Sequence, residues 1–459
     1  MTEPHGRATD ADGEPAGVYD YGSALRDGHA RVCVWGLGYI GWSTVEALRE
    51  AGVRTLGFDV SESRVAQLRA AAGIEADLTL TADRQLTAAD DVAVHFVAVP
   101  TEREAAPYSD AMAAVVTALV DIAASRGDRD AGLPPPLVVI ESTLTPGTVD
   151  DILLPLLSGR GLQPDRDLLI ALAPRRDWFL AEGYGLRELD RVFGGVGDRS
   201  ATAAHGVLSL MCDRLHRATD HRVGELVKCV ENAFRHVEIT LANQLTLAFP
   251  HVNMVEVLQL AGTKWNMGTY HPSFGTGGYC VPLASRYLLL GAAHREELSL
   301  LSSAVETDDS IRETVAEAAG QRGEVLVLGL AYKGGIKVAT LSPALAITAR
   351  LRKLGIPHTL HDPMYTCEEI DALTAPGTAV ADPAEAVRRA ATVLIVADHP
   401  EFRTAPYTGL LASERPGGRL ILDNYGVLEG HEWPGHVTYR RAGGPGWLDR
   451  NVAAEAGAS

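Results

Sequence analysis

The segment of residues 271–287 holds the side chain best suited to covalent chemistry, Cys280. It follows a glycine-rich turn made by Gly275, Gly277 and Gly278. Glycine lets the backbone approach a bound ligand closely, and cysteine is the nucleophile that depends least on a strong base. The pattern therefore predicts a turn that presents a nucleophilic thiol. A buried structural cysteine is the alternative, because a lone cysteine usually packs as a small apolar residue.

A second group of polar residues lies on a predicted long helix, residues 222–249. Its apolar positions share one face: Val223, Leu226, Val230, Phe234, Val237 and Leu241. Lys228 and Asn232 are four residues apart and Arg235 is one turn further, so all three are neighbours on one face. A solvated face is the common explanation of such a group. The helix is otherwise predicted to be largely buried, and buried polar groups need hydrogen-bond partners. Three polar residues nevertheless interrupt it: Glu225, Asn232 and Asn243.

Residues 31–59 carry the pattern of a dinucleotide-binding turn. A short apolar strand meets GLGYIG at Gly36 to Gly41, a helical pattern follows, and a second apolar strand ends in Asp59. The glycines permit a tight turn and close approach of a pyrophosphate, which the positive end of the helix attracts. Asp59 is placed to accept hydrogen bonds from ribose hydroxyls, which favours NAD over NADP. This context favours dinucleotide binding over a glycine turn without a ligand.

The elements that position these residues alternate between strands and helices. Apolar runs at residues 92–99 and 137–141 flank a helical segment, which predicts βαβ units and a parallel sheet. Ligands bind outside the carboxyl ends of such strands. Three polar residues lie at those ends: Thr101, Glu141 and Thr143. Capping of a strand end explains each of them equally well when taken alone.

Length and composition limit the class of protein. The 459 residues predict two or three domains, and the apolar content is ordinary for a globular chain. A formal charge of −18 at pH 7 argues against a nucleic-acid partner, whereas local lysines and helix N-termini can still bind an anionic small molecule. The five scattered cysteines predict neither a disulfide framework nor a metal site. No segment resembles a signal peptide or a membrane span, so we expect a cytoplasmic protein without a membrane partner.

The predicted organisation has four parts. Residues 1–28 are expected to be a disordered tail, and residues 29–213 an NAD-binding domain. Residues 214–318 form a central helical region that includes the cysteine turn. Residues 319–450 form a second α/β domain, because helical segments there alternate with short apolar strands.

Five motifs give the chain from about residue 31 to residue 422 a resemblance to the UDP-glucose/GDP-mannose dehydrogenase family: GLGYIG at 36–41, ESTLTPGT at 141–148, ELVKCVENAFR at 225–235, GTGGYCVP at 275–282 and GLAYK at 329–333. The resemblance implies two Rossmann-like domains with parallel sheets, joined by a long central helix that dimerises. It also implies NAD-dependent oxidation of a nucleotide sugar's C6 alcohol to a carboxylate. The sequence GTKWN at residues 262–266 is similar to the branch that acts on UDP-N-acetylhexosamines.

The same resemblance implies roles for individual residues. Cys280 matches the nucleophile that traps the aldehyde as a thiohemiacetal, which becomes a thioester. Lys228 and Asn232 match residues that hold the oxygen where alkoxide charge develops. The predicted substrate residues are Arg235, Lys264, Gly277, Gly278, Tyr332 and Lys333. The predicted NAD residues are Gly36, Gly38, Tyr39, Ile40, Gly41, Asp59, Arg64, Thr101, Glu141 and Thr143.

Three positions depart from the family pattern. Ala284 stands where the family has an aspartate four residues after the cysteine. Pro174 is followed by Arg175 where the family has a catalytic glutamate, although Glu182 lies eight positions beyond Pro174. Residues 340–343 read TLSP, without the family's substrate-binding arginine. Hydrolysis of a thioester requires activation of water, so the loss of two carboxylates suggests an atypical member.

The departures leave three hypotheses. The first is a nucleotide-sugar 6-dehydrogenase that uses NAD. The second is a two-electron dehydrogenase that acts on a related nucleotide or sugar in a specialised pathway. The third is a protein that binds NAD or a nucleotide sugar without catalysis. The presence of Cys280 with Lys228 and Asn232 argues against the third, because a binding module needs no nucleophile.

Overall fold

The computed structural model of the chain describes residues 19–73, 77–101, 110–127, 133–176 and 185–448. The chain divides into two compact units. The first comprises residues 1–229 and 290–292, and the second comprises residues 230–289 and 293–459. The boundary falls within the long helix, so both units share the predicted central region. The three-domain division itself stays a prediction.

The strands and helices have the following bounds. The strands are β1 Arg31–Trp35, β2 Thr55–Phe58, β3 Leu78–Thr81, β4 Val92–Val97, β5 Leu137–Ile140, β6 Leu169–Leu172, β7 Arg191–Gly195, β8 Leu215–Arg217, β9 Val325–Leu328, β10 His358–His361, β11 Thr392–Ile395, β12 Arg419–Asp423 and β13 Val437–Arg441. The helices are α1 Tyr21–Arg26, α2 Tyr39–Glu50, α3 Glu62–Ala72, α4 Asp110–Gly127, α5 Leu154–Gly159, α6 Asp198–Leu208, α7 His221–Ala248, α8 Met254–Ala261, α9 Val281–Gly291, α10 Ser299–Gly320, α11 Pro343–Lys353, α12 Cys367–Leu373, α13 Pro383–Arg389 and α14 Ala405–Leu411.

The first unit is built on an eight-stranded sheet in the order β3-β2-β1-β4-β5-β6-β7-β8. All neighbouring strands are parallel except β6 and β7, which pair antiparallel. Strands β1, β4 and β5 are apolar on both faces and buried, as expected for a parallel sheet covered by helices. The predicted βαβ order is confirmed, and the antiparallel pair is an addition to it.

The second unit contains a five-stranded parallel sheet in the order β10-β9-β11-β12-β13. Its central strands β9, β11 and β12 are fully buried. The predicted α/β architecture, with two Rossmann-like parallel sheets and a long central helix, is confirmed. Parallel strands need crossover helices, which places glycine turns and strand ends on one edge of each sheet.

The predicted disorder of residues 1–28 does not hold for their last part. Residues 21–26 form helix α1, which begins after Asp20, whose carboxylate accepts a hydrogen bond from the backbone N–H of Ser23. Tyr21 and Leu25 are four residues apart, and both are buried in the core of the first unit. This one-turn spacing lets a short polar-looking segment bury two large side chains. Residues 1–18 lie outside the described residues.

Helix α7 is amphipathic, but its orientation differs from the predicted one. Its apolar positions are solvent-exposed in the single chain, with Phe234 68% and Leu241 51% exposed. The buried stripe is instead rich in polar residues: Glu225, Asn232, His236, Thr240 and Asn243. The prediction that the helix is largely buried apart from its polar residues is therefore wrong for the isolated chain. Within the described ranges, no helix is both long enough and apolar enough to cross a membrane.

Candidate active site

The glycine-rich turn after β1 has the geometry of a phosphate cradle. Gly36 has a φ of +87°, and a Cβ there would lie 2.6 Å from the carbonyl oxygen of Ala98. A Cβ on Gly41 would lie 1.8 Å from the carbonyl oxygen of Gly36, so only glycine permits this packing of α2 on the turn. Gly38 has open space on its Cβ side and is exposed. The turn is therefore closed towards the protein and open towards a ligand.

Asp59 is held beside this turn by hydrogen bonds from the backbone. Its Oδ2 accepts from the N–H of Leu37 at 2.8 Å, and its Oδ1 accepts from the N–H of Ser61 at 2.9 Å. Arg64 Nε donates to the carbonyl oxygen of Leu37 at 2.8 Å. A carboxylate has about four acceptor sites, so Asp59 keeps acceptor capacity for ribose hydroxyls. Asp59 and Arg64 are thus both hydrogen-bonded to the glycine turn.

Glu141 is part of a buried ionic cluster. Its Oε2 accepts from Thr44 Oγ1 at 2.6 Å, and its Oε1 pairs with Arg191 Nη2 at 2.5 Å. Arg191 also donates to the carbonyl oxygen of Ala173 at 2.7 Å. The Glu141 side chain has no exposed surface. These contacts assign Glu141 a structural part in this conformation, and its role towards NAD stays a prediction.

Arg175 joins the same cluster. Its guanidinium donates to Thr44 Oγ1 at 2.5 Å and to Ser43 Oγ at 2.9 Å. It lies 3.8 Å from the carboxylate of Glu141. Ser43 and Thr44 lie in helix α2, directly after the glycine turn. Arg175 therefore stabilises the interior of the NAD-binding domain, and its donors are directed at α2; its correspondence to the family's glutamate stays a prediction. Glu182, the other carboxylate considered, lies outside the described residues.

The remaining strand-end candidates contact each other. Thr101 Oγ1 donates to the carbonyl oxygen of Thr143 at 2.8 Å, which ties the end of β4 to the end of β5. Thr101 is buried and Thr143 is half-buried. Tyr39 is exposed and Ile40 is half-buried at the start of α2. The ends of adjacent parallel strands meet here as predicted, and the role of these residues towards NAD stays a prediction.

Cys280 is an exposed thiol. Of the other four cysteines, Cys33, Cys212 and Cys229 are buried and Cys367 is half-buried, and none forms a disulfide. Burial raises the pKa of Cys229 to about 12, which makes that thiol a poor nucleophile. Cys280 is therefore the thiol accessible to a ligand, in agreement with the first of the two sequence-based explanations.

The glycine turn that leads to Cys280 is packed against the second α/β domain. Gly275 has a φ of +109°, and a Cβ there would lie 2.7 Å from Arg312 Nε. Gly278 has a φ of +79°, and its N–H donates to the carbonyl oxygen of Thr340 at 2.9 Å. Tyr332 packs against both Gly277 and Gly278: a Cβ on Gly277 would lie 2.7 Å from the Cβ of Tyr332, and a Cβ on Gly278 would lie 3.0 Å from its ring. The structure thus brings together three predicted substrate residues.

Thr276, between those glycines, is bound through all its polar atoms. Its N–H and Oγ1 each donate to the carboxylate of Asp308 at 2.8 Å, and its carbonyl oxygen accepts from Arg312 Nη2 at 2.7 Å. Burial acts to raise the pKa of Asp308, but the hydrogen bond with His236 and the charge of Arg312 hold that pKa below its usual value. The sequence analysis missed Asp308. The one available signal was an acidic residue within the apolar pattern of α10.

The candidates on α7 have different environments. Asn232 is buried, Lys228 is half-buried and Arg235 is exposed. One turn before Lys228, the carboxylate of Glu225 accepts hydrogen bonds from the N–H groups of Gly147 and Val149 at 2.9 and 3.0 Å. Burial raises the pKa of Glu225. The helix therefore positions the loop after β5 within the first unit.

The other predicted residues are more dispersed. Lys264 is exposed, Lys333 is half-buried, and Ala284 is buried in the first turn of α9. A buried methyl group cannot activate water. Among the described residues, no group of three His, Cys, Asp or Glu side chains has a metal-binding arrangement. The contacts within each unit thus define two sets of residues: a dinucleotide cradle on the first sheet and a rigid cysteine turn on the second unit.

Sequence profiles of one family match three consecutive parts of the chain. The NAD binding domain of the UDP-glucose/GDP-mannose dehydrogenase family matches residues 30–209, its central domain matches residues 222–310, and its UDP binding domain matches residues 326–430. Together these matches span well over half of the chain.

Individual relatives agree with this match. The chain is 27% identical to the UDP-N-acetyl-D-mannosamine dehydrogenase of Methanocaldococcus jannaschii over 88% of this chain and 94% of that protein. It is 28% identical to the enzyme of the same name from Pyrococcus horikoshii, over 87% and 96%. A solved structure of a UDP-D-ManNAc dehydrogenase from Pyrococcus horikoshii covers 91% of this chain and 99% of its own, with a TM-score of 0.74 and 26% identity.

Proposed function

The chain belongs to the UDP-glucose/GDP-mannose dehydrogenase family, and we propose that it oxidises the C6 alcohol of a UDP-N-acetylhexosamine with NAD. The observation that carries the choice of substrate is the similarity to UDP-N-acetyl-D-mannosamine dehydrogenases over nearly their full lengths. The enzyme class and the cofactor follow from the family itself. The sugar is the proposed part.

The residues of the first unit fit NAD. The open side of Gly38 and the N-terminus of α2 provide the surface for a pyrophosphate, and the tight contacts of Gly36 and Gly41 keep that surface close to the sheet. Asp59 is held in place by two backbone N–H groups and supplies acceptors for the adenosine ribose. NAD bound there would supply the acceptor for the hydride that C6 loses in each oxidation.

The exposed thiol supports covalent catalysis by Cys280 in the second oxidation. The first oxidation converts the C6 alcohol to an aldehyde. The sulfur then adds to the aldehyde carbon and a proton reaches the oxygen, which gives a thiohemiacetal. Transfer of the second hydride to NAD and loss of the hydroxyl proton give a thioester, and water cleaves the C–S bond to release the acid and the thiol. In this proposal Lys228 and Asn232 stabilise the oxygen on which negative charge develops, as the family resemblance implies.

A second candidate function is favoured by Ala284 and Arg175. Neither residue supplies a carboxylate, and the guanidinium of Arg175 is bound to Ser43 and Thr44. Slow activation of water would leave the acyl group on Cys280, or end the reaction after one oxidation. General base catalysis contributes about two to four orders of magnitude, so the rate of thioester hydrolysis separates the two functions.

The first experiment is a stoichiometry of purified enzyme with NAD and single nucleotide sugars. We expect oxidation of UDP-N-acetylmannosamine or a related UDP-N-acetylhexosamine, with two NADH formed for each sugar consumed. UDP-glucose and GDP-mannose serve as controls within the family. One NADH per sugar, with aldehyde released, would support the second candidate function. Oxidation of UDP-glucose in preference to every N-acetylated sugar would contradict the proposed substrate.

The exposed apolar face of α7 supports a homodimer. A row of large side chains remains in contact with solvent along this helix: Val223, Leu226, Val230, Phe234 and Leu241. A soluble monomer rarely keeps so continuous an apolar strip uncovered. We therefore include a second copy of the chain, paired through α7, in the proposal. The predicted cytoplasmic location stays a prediction.

A further inference from the structure

Helix α7 carries a buried histidine, His236, that lies between the two chain segments flanking Cys280. Its Nδ1 is 2.9 Å from the hydroxyl oxygen of Ser285, and its Nε2 is 3.5 Å from Oδ2 of Asp308. All three side chains are at most 1% exposed. No known part of the proposed reaction uses them, because solvent and substrate cannot reach groups buried to this extent.

The two neighbours of His236 hold opposite ends of the cysteine turn. Asp308 accepts two hydrogen bonds from Thr276, which lies four residues before Cys280. Ser285 lies five residues after Cys280, in the first turns of α9, where its hydroxyl is 3.4 Å from the carbonyl oxygen of Val281. One imidazole thus connects the segment that enters the turn with the helix that leaves it.

Only a side chain that offers both an acceptor and a donor can serve both contacts. With its proton on Nε2, His236 accepts from the hydroxyl of Ser285 at Nδ1, and its Nε2 faces the carboxylate of Asp308 at 3.5 Å. Arg312 also pairs with the carboxylate of Asp308 and with the carbonyl oxygen of Thr276. The carboxylate is therefore surrounded by donors, and each donor belongs to an element that borders the turn. A buried polar network of this kind restricts the relative positions of the segments that it joins.

We propose that His236, through Ser285 and Asp308, is a positioning residue that holds the turn of Cys280 in the geometry required for attack on the aldehyde. The proposal rests on the proposed function, since it concerns the second oxidation. It assigns no contact between His236 and substrate. The first oxidation needs no thiol, so loosening of the turn slows the second oxidation more than the first. A displacement of about 1 Å at a reacting atom costs about a hundredfold in rate.

The test compares His236→Leu, which keeps volume and loses both contacts, with His236→Gln, whose amide oxygen and nitrogen can keep them. Ser285→Ala removes a single hydroxyl group and is the second test variant, which is used if His236→Leu does not fold. Thr246→Ala is the matched control, because Thr246 is a buried hydroxyl on the same helix that bonds only within it, to the carbonyl oxygen of Ala242.

The first readout is hydrogen–deuterium exchange of the peptide that covers residues 274–281, without substrate. We expect exchange about tenfold faster in His236→Leu and in Ser285→Ala, near wild type in His236→Gln, and unchanged in Thr246→Ala. Unchanged exchange in both His236→Leu and Ser285→Ala would overturn the proposal. This result is independent of whether the proposed substrate is correct.

The second readout is the division of product between aldehyde, trapped as its oxime with hydroxylamine, and acid. We expect the rate of the second oxidation to fall about tenfold to a hundredfold in His236→Leu, the first to change less than about threefold, and His236→Gln to recover most of the loss. Equal slowing of both oxidations, or equal damage from Gln and Leu, would show that His236 serves packing alone. Absence of turnover in the wild type would contradict the proposed function and leave the exchange result standing.

Discussion

Arg175 donates a hydrogen bond to Thr44 Oγ1 at 2.5 Å, although the two residues are 131 positions apart. Arg175, which the sequence analysis predicts to stand where the family has a catalytic glutamate, therefore braces helix α2, which follows the glycine turn. Its positive charge is compensated locally, because the guanidinium is directed at hydroxyl groups and lies near the carboxylate of Glu141.

Substitution of Arg175 by methionine should therefore reduce stability more than it alters hydrolysis. It removes the donors to Ser43 and Thr44, and loss of charged hydrogen bonds in a buried site costs about 2–3 kcal/mol. Urea denaturation measures this loss. Arg160→Met, which removes an exposed ion pair with Asp121, is the control and should cost less than about 1 kcal/mol. A stable Arg175→Met enzyme with altered NADH stoichiometry would instead place Arg175 in the chemistry.

Asp59→Asn should weaken the binding of NAD. Asparagine has one acceptor oxygen, so it cannot accept from both Leu37 and Ser61 and also hold the ribose. We expect the Kd for NADH, measured by fluorescence titration, to rise about tenfold to a hundredfold. Asp83→Asn is a matched control, because Asp83 accepts from the N–H two residues on, as Asp59 does, in a separate exposed turn. An equal effect of the two substitutions would contradict the ribose assignment.

Cys280→Ala should abolish formation of acid and preserve the first oxidation. Removal of a catalytic nucleophile lowers turnover by several orders of magnitude, whereas hydride transfer from the alcohol needs no thiol. The expected product is aldehyde with one NADH per sugar, read by the same stoichiometry. Cys367→Ala, at the half-buried thiol of α12, should retain wild-type behaviour. Undiminished acid from Cys280→Ala would disprove the nucleophile assignment.

The apolar face of α7 should bind a second copy of the chain. Leu241→Glu places a charge on that face, and we expect the dimer dissociation constant to rise at least about thirtyfold in analytical ultracentrifugation. Leu373→Glu is the control because Leu373 is 49% exposed, close to the 51% of Leu241, and lies at the end of α12. A wild-type chain that is monomeric at micromolar concentration would contradict the dimer.

The lowered pKa of Asp308 gives stability a defined dependence on pH. Because the folded-state pKa lies below the unfolded value of about 3.9, the unfolded state binds more protons in this range. The stabilising contribution is therefore complete above the unfolded pKa and is lost as the pH falls through the folded pKa. Asp308→Asn should flatten the decline of the free energy of unfolding below pH 4 and lower stability at pH 7. Thr276→Val, which removes one donor, should flatten it less.

The sequence by itself determined the local features of this protein. The spacing of Gly36, Gly38 and Gly41 before a helical pattern, with Asp59 after the next strand, defines the dinucleotide turn, because its geometry depends on neighbouring residues only. The glycines before Cys280 predicted a tight turn for the same reason. Short apolar runs between helical patterns predicted the two sheets, although not the antiparallel pair of β6 and β7 in the first one.

Tertiary structure decided which partners the polar side chains have. Arg175 with Thr44, and His236 with Asp308 and Ser285, are contacts between segments far apart in the chain, and no local pattern specifies them. The orientation of α7 is the clearest case. An amphipathic helix has two distinct faces, and sequence periodicity shows that they differ without showing which one the chain covers. Here Glu225, His236 and Asn243 of the polar stripe form hydrogen bonds within the chain, which offset part of the cost of burying them. The apolar stripe remains available to a second copy.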